Sequence, residues 1–260
     1  MKKLALVSKK EFEMLKEISD LENEFIVYNI NQLTLFNRKN SQLTKLIGIF
    51  GEIEAEIISK NSNNLERLII EYYTNFKSFL DYWETNIKRD FGKKSNEFEL
   101  FKIATNNEYD NFFDYRFNYE LRHYIQHCGF PNIVLKSILN ENETIIYSLE
   151  INVNDIIDSF DWKKNVRKDL VKKVKIELFN SLRINLECIE RIHNVSMNLY
   201  DIDDLINCAN NVLKYKKHQI DNRELASIVL PIGYPKNFNG KILINIFPFN
   251  IAEQILQNTK

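Results

Sequence analysis

Leu65-Glu66-Arg67-Leu68-Ile69-Ile70-Glu71-Tyr72-Tyr73-Thr74-Asn75-Phe76-Lys77-Ser78-Phe79-Leu80-Asp81-Tyr82-Trp83 repeats an apolar side chain every third or fourth residue. Leu65, Leu68, Ile69, Tyr72, Tyr73, Phe76, Phe79, Leu80, Trp83 and Ile87 therefore share one face of a helix that runs from the Asn cluster at 61–64 to Gly92. A stripe this broad and aromatic needs other helices to cover it, so the chain reads as mainly α. Working outward, Ser8-Lys9-Lys10-Glu11 matches a capping box, with Phe12, Leu15, Ile18 and Leu21 following at helical spacing. A second helix is expected over about 41–60, broken or bent near Gly48 and Gly51.

Residues 107–128 predict one aromatic-rich helix, stopped by Gly129 and Pro131. Ile133–Leu139 and Thr144–Ile151 alternate as a β-hairpin with one buried face. A long helix is expected from Trp162 to Leu199, with Val166, Leu170, Val174, Leu178 and Leu182 on its apolar side, and Asp203 caps a further one to about Lys217. Ile228–Ile232 and Ile242–Phe247 read as extended, as a second hairpin or an arm over a sheet edge. The expected architecture is a helical bundle with one inserted β-hairpin and a small β-containing C-terminal segment. Its helical domain spans 1–225, the insertion lies at about 132–152, and 226–260 packs on that domain.

Composition narrows the function classes. Of 260 residues, 44% are hydrophobic and 12% aromatic, enough for a packed core, and the formal charge of −1 excludes a uniformly basic protein. Three scattered cysteines, Cys128, Cys188 and Cys208, give neither a disulfide framework nor a zinc knuckle. The apolar run after Met1 is too short for a signal peptide, and no stretch approaches the ~20 residues of a membrane span. A cytoplasmic protein with no membrane partner is expected. Gly-rich phosphate loops, serine-hydrolase elbows and acidic metal clusters are missing from the sequence.

Chemistry concentrates in Arg122-His123-Tyr124-Ile125-Gln126-His127. Imidazoles serve as acid or base near neutral pH, and a guanidinium offers a planar fork to phosphate oxygens. His127 falls in the last helical turn, where positive charge is favoured. Arg122 and His127, five residues apart, point about 140° away from each other on an ideal helix. Either the helix distorts near its end, or a second copy completes the site.

The Arg-polar-x-x-x-His pattern within a helix resembles that of the HEPN superfamily of helical ribonucleases, which includes toxins and abortive-infection proteins. The likeness covers the motif and its helical surroundings, not the hairpin or the C-terminal segment. It implies a metal-independent endoribonuclease without cofactor, an anti-phage or toxin effector in which Arg122, His123 and His127 form a composite site across a homodimer. RNA would be the substrate, and an antitoxin or regulatory protein a possible partner. Seven basic residues in thirteen, Lys163, Lys164, Arg167, Lys168, Lys172, Lys173 and Lys175, read either as a phosphate-tracking stripe or as a solvated helix face.

Two alternatives stay open. Arg122 and His127 serve structure in a non-catalytic helical module that binds RNA or protein, or His123 and His127, four residues apart, hold a metal. The second lacks a third ligand, and Gln126 stands where a metalloprotease helix carries its Glu. His193, on an apolar face, reads as a core histidine.

Overall fold

The computed structural model describes residues 1–8, 11–60, 63–139, 145–230 and 242–258. The chain divides into two compact units: residues 1–39 with 201–260, and residues 40–200. This division falls elsewhere than the boundary expected after residue 225, because the C-terminal segment joins the N-terminal strands in one sheet.

The first unit holds a four-stranded sheet of β1 (Lys2–Val7), β2 (Phe12–Glu17), β6 (Glu224–Val229) and β7 (Leu243–Ile246), in the order β2-β1-β6-β7. All three pairings are antiparallel. Along β1 the side chains alternate: Leu4 and Leu6 enter one apolar cluster while Ala5 faces another with Ala226 and Ile228. The first cluster also takes Ile26, Ile30 and Leu33 from α1 (Asp20–Ile58), Val212 from α8 (Ile202–Leu213) and Ile255 from α9 (Phe249–Asn258).

Three expectations are corrected here. Phe12–Glu17 is a strand rather than a helix, since pairing with β1 overrides the three-residue apolar spacing. Ser8 and Glu11 bond to one another across the β1–β2 connection, while the cap of α1 is Ser19, whose Oγ accepts from the Glu22 amide at 3.0 Å. The two C-terminal extended segments do pair, β6 with β7, and the turn-rich residues between them lie outside the described residues. Asp201, not Asp203, caps α8, accepting from the Asp204 amide at 2.9 Å.

Residues 40–58 of α1 open the second unit and run unbroken through Gly48 and Gly51, where a bend was expected. α2 (Leu65–Asp90) buries the stripe read from its sequence, with Tyr72, Phe79, Trp83 and Ile87 sealed. The helix expected over 107–128 is instead two, α3 (Asn96–Asn111) and α4 (Phe113–Cys128), parted at Phe112 in extended conformation. Arg116, in the first turns of α4, reaches back to the Tyr109 and Asp110 carbonyls and pairs with Asp169 at 2.6 Å. It thereby satisfies the acceptors that the break would leave open.

The hairpin forms as read, β3 (Ile133–Leu139) against β4 (Ile145–Asn152), and gains a third strand, β5 (Lys175–Glu177). That strand lies inside the stretch read as one helix from Trp162 to Leu199. The chain forms α6 (Lys164–Leu170), turns, pairs as β5, and then enters α7 (Leu178–Met197). Val174, placed on the apolar stripe by its spacing, is exposed. Glu177 enforces the switch, one carboxylate oxygen accepting from the Leu149 amide and the other capping α7 at Asn180. A short helix, α5 (Val153–Ile156), follows β4. Among the described residues no helix is long and apolar enough to cross a membrane.

Candidate active site

α4 is fixed on its inner face before any chemistry begins. Tyr115, Phe117, Leu121 and Tyr124 are buried, and Asn118, wholly inaccessible, joins three helices. Its Oδ1 accepts from the Tyr73 hydroxyl at 2.6 Å, and its Nδ2 donates to the Ser181 hydroxyl at 2.9 Å. Tyr124 stacks on Trp162, centroids 5.6 Å apart, holding the last turns. Gly129, at φ 94°, ends the helix in a conformation that side-chain-bearing residues avoid, and its amide bonds to Ile125.

On this base Arg122 is 8% exposed. Its Nη2 donates to Nε2 of His123 at 2.8 Å, and its guanidinium lies 6.0 Å from the centre of the Tyr119 ring. Among the described residues no carboxylate stands within ion-pair reach of it. Arg122 also lines a pocket of about 190 Å³ whose opposite wall is α2, with Thr74, Lys77 and Ser78, while Ile125 and Gln126 complete the α4 side. Lys77 is paired with Asp81.

His123 is half-buried and tilted against Tyr119, centroids 5.7 Å apart. Burial, then the adjacent Arg122 charge, push its imidazole below the ordinary value of 6.5, so it is neutral at pH 7. A guanidinium only donates, so Nε2 accepts and the proton resides on Nδ1. His127 is exposed one turn further on, near enough for its charge to act on His123. The structure thus brings Arg122 and His123 together and leaves His127 off the Arg122 pocket. Among the described residues no three His, Cys, Asp or Glu side chains gather as a metal site.

The basic run is not one helical stripe. Lys164, Arg167 and Lys168 lie on α6, Lys163 precedes it, and Lys172 and Lys173 follow in the turn. All six are exposed, but Lys163 pairs with Glu120, Arg167 with Asp158 and Lys172 with Asp169. Lys173 sits over the Phe113 ring at 4.8 Å.

His193 is a core residue, as its position on an apolar face implied. Its Nε2 bonds Asn40 Oδ1 at 3.0 Å, the ring packs on Trp83, and burial pushes its value down to about 4. Sequence reasoning missed the α2 wall. The signal was present, since Thr74, Lys77 and Ser78 make a polar strip beside the buried stripe.

No family model, curated protein or solved structure matches this chain.

Proposed function

We propose that the chain is a metal-independent endoribonuclease of HEPN type, working as a homodimer and serving as a toxin or anti-phage effector. The observation that carries this reading is the nearly buried Arg122, which has no carboxylate in ion-pair reach among the described residues and lines a pocket whose lining carries no acid. A desolvated cation without an acid is best satisfied by an anion, and a phosphodiester supplies one. His127, exposed in the last turn, is the group free to exchange protons with solvent-side substrate. His123 holds its lone pair toward Arg122 and so orients the fork rather than acting as the base.

In the reaction the 2′-oxygen attacks phosphorus and loses its proton to a base. The P–O5′ bond breaks, and the leaving oxygen takes a proton. Arg122 stabilises the charge that builds on the phosphorane oxygens. Because His127 does not line the Arg122 pocket, a second copy of α4 would supply the missing partner group.

The test is cleavage of single-stranded RNA in excess EDTA, with mass analysis of the ends. The expected products carry a 2′,3′-cyclic phosphate or 3′-phosphate, and matched DNA resists. Cleaved DNA, 5′-phosphate ends or a strict metal requirement would reject this chemistry.

A structural use of the motif has its own support. The hydrogen bond to His123 and the contact with Tyr119 would also hold Arg122 as a purely architectural residue. In that case Arg122→Ala lowers stability and no RNA is cut.

A further inference from the structure

A second pocket, of about 320 Å³, opens beside the Arg122 site in the same unit, walled by α2, α3, α4 and Lys163. Its floor and sides are aromatic: Phe101, Tyr109, Tyr115 and Tyr119. Phe101 and Tyr115 are buried, whereas Tyr109 and Tyr119 are half-buried. These two rings meet edge to face, 5.9 Å apart at 87°. A flat ligand stacked on one therefore abuts the other. Thr105 and the exposed Asn106 stand at the rim.

The pocket and the Arg122 site share two residues. Lys77 lines both, and Tyr119 forms a wall of the first while its ring touches Arg122 and His123. We propose that this aromatic pocket receives a nucleobase whose attached phosphate points toward Lys77 and Arg122. Its place in RNA handling rests on the ribonuclease reading, but base binding itself does not.

Charge decides between ligand classes. Tyrosine walls also attract cations, but here an ammonium is already present: Lys163 lies 5.6 Å from the centres of both the Tyr109 and Tyr119 rings and is held by Glu120. The two lining carboxylates are engaged as well, Asp81 with Lys77 and Glu84 with Lys88. Two lining lysines against two lining acids leave the wall neutral. A cationic guest would meet a cation, and a multiply charged anion would face acids. A neutral planar ring meets neither repulsion and can share the tyrosine rings with Lys163, with the Asn106 amide able to donate and accept at its edge. The volume sits at the low end of small-molecule pockets, roughly 300–1,000 Å³, which suits a single base rather than a peptide.

The experiment titrates the full chain with AMP, GMP, CMP and UMP against ribose 5-phosphate and free arginine, by calorimetry and saturation-transfer NMR. At least one nucleotide should bind ten-fold or more tightly than ribose 5-phosphate, the order expected for one stacking face. Thr105→Trp, which fills the pocket, should remove that advantage and leave ribose 5-phosphate binding alone. Asn106→Trp, at an exposed position, repeats the test should Thr105→Trp fail to fold. Equal affinity for nucleotide and ribose 5-phosphate, tighter binding of arginine, or nucleotide affinity unmoved by the filling variants would each overturn the proposal. A chain that binds nucleotides through the base yet never cuts RNA refutes the nuclease reading alone. One that cuts RNA but ignores the base refutes the pocket alone.

Discussion

Arg122 and His123, neighbours in sequence, are also bonded side chain to side chain: Nη2 of the arginine reaches Nε2 of the histidine at 2.8 Å. That bond uses the lone pair a general base would need and leaves His127 as the exposed imidazole of α4. The two histidines should therefore respond differently to removal.

His127→Ala should abolish RNA cleavage, a loss of about 10²–10⁴-fold for one acid–base group. Its thermal midpoint should stay within a few degrees, since the side chain is exposed. His123→Gln should retain part of the activity. Arg122→Lys should not restore it, because an ammonium cannot make the fork. Rates and melting curves of the purified variants check all three, and a His127 variant that unfolds would make that residue structural.

The proposed composite site requires two copies. Light scattering at micromolar concentration should give a dimer, and cross-linking from cysteines placed at exposed positions of α4 should join identical chains. A monodisperse monomer that still cuts RNA would refute the shared site.

Asn118 carries more structure than its size implies. Asn118→Leu strands the Tyr73 hydroxyl and the Ser181 groups in the core, at about 1–3 kcal/mol for each buried group left unsatisfied. Denaturant unfolding should show a loss of about 3 kcal/mol or more, and a change below about 0.5 kcal/mol would contradict this account.

Acid should weaken the fold in two steps. His193 titrates at about 4 when folded, against 6.5 ordinarily, so the unfolded chain takes up its proton first. Stability falls as pH drops from 6.5 toward 4. Lys136 and Lys175 hold the Glu150 carboxyl down to about 2, against 4.5, so its contribution is complete above 4.5 and lost as pH falls further toward 2. Denaturant midpoints measured across this range should show both steps. His193→Gln should flatten the first only, while His193→Ala should cost stability at every pH and leave cleavage intact.

Much of this architecture is written in local pattern. The α2 stripe, the β3–β4 hairpin and the stop at Gly129 follow from side-chain period and turn chemistry, and each forms where the sequence places it. What escaped is set by distant partners. Phe12–Glu17 has a helical spacing but pairs with β1, and β5 exists because β4 offers it an edge. The break at Phe112 carries neither Gly nor Pro, and its support comes from Arg116. Arg122 and His123 were legible as residue types in a pattern. The polar strip of Thr74, Lys77 and Ser78 was visible as well, but its place opposite them was not, since nothing local says which helix such a strip will face.

The pairing of β1 with β6 has a consequence for how the protein is made. Some 217 residues separate Val7 from Glu224, which close the same register. At ~5–20 residues per second, a ribosome takes roughly 10–40 s to deliver the second strand after the first. Residues 40–200 are complete before β6 exists, and throughout the interval β1 presents Leu4 and Leu6 beside an open backbone edge. Synthesis is thus the period of greatest exposure to wrong partners, and the first forty residues are where a chaperone would be needed. Released chains ending at residue 215, which lack β6, should resist protease over 40–200 and be cut within the first forty residues.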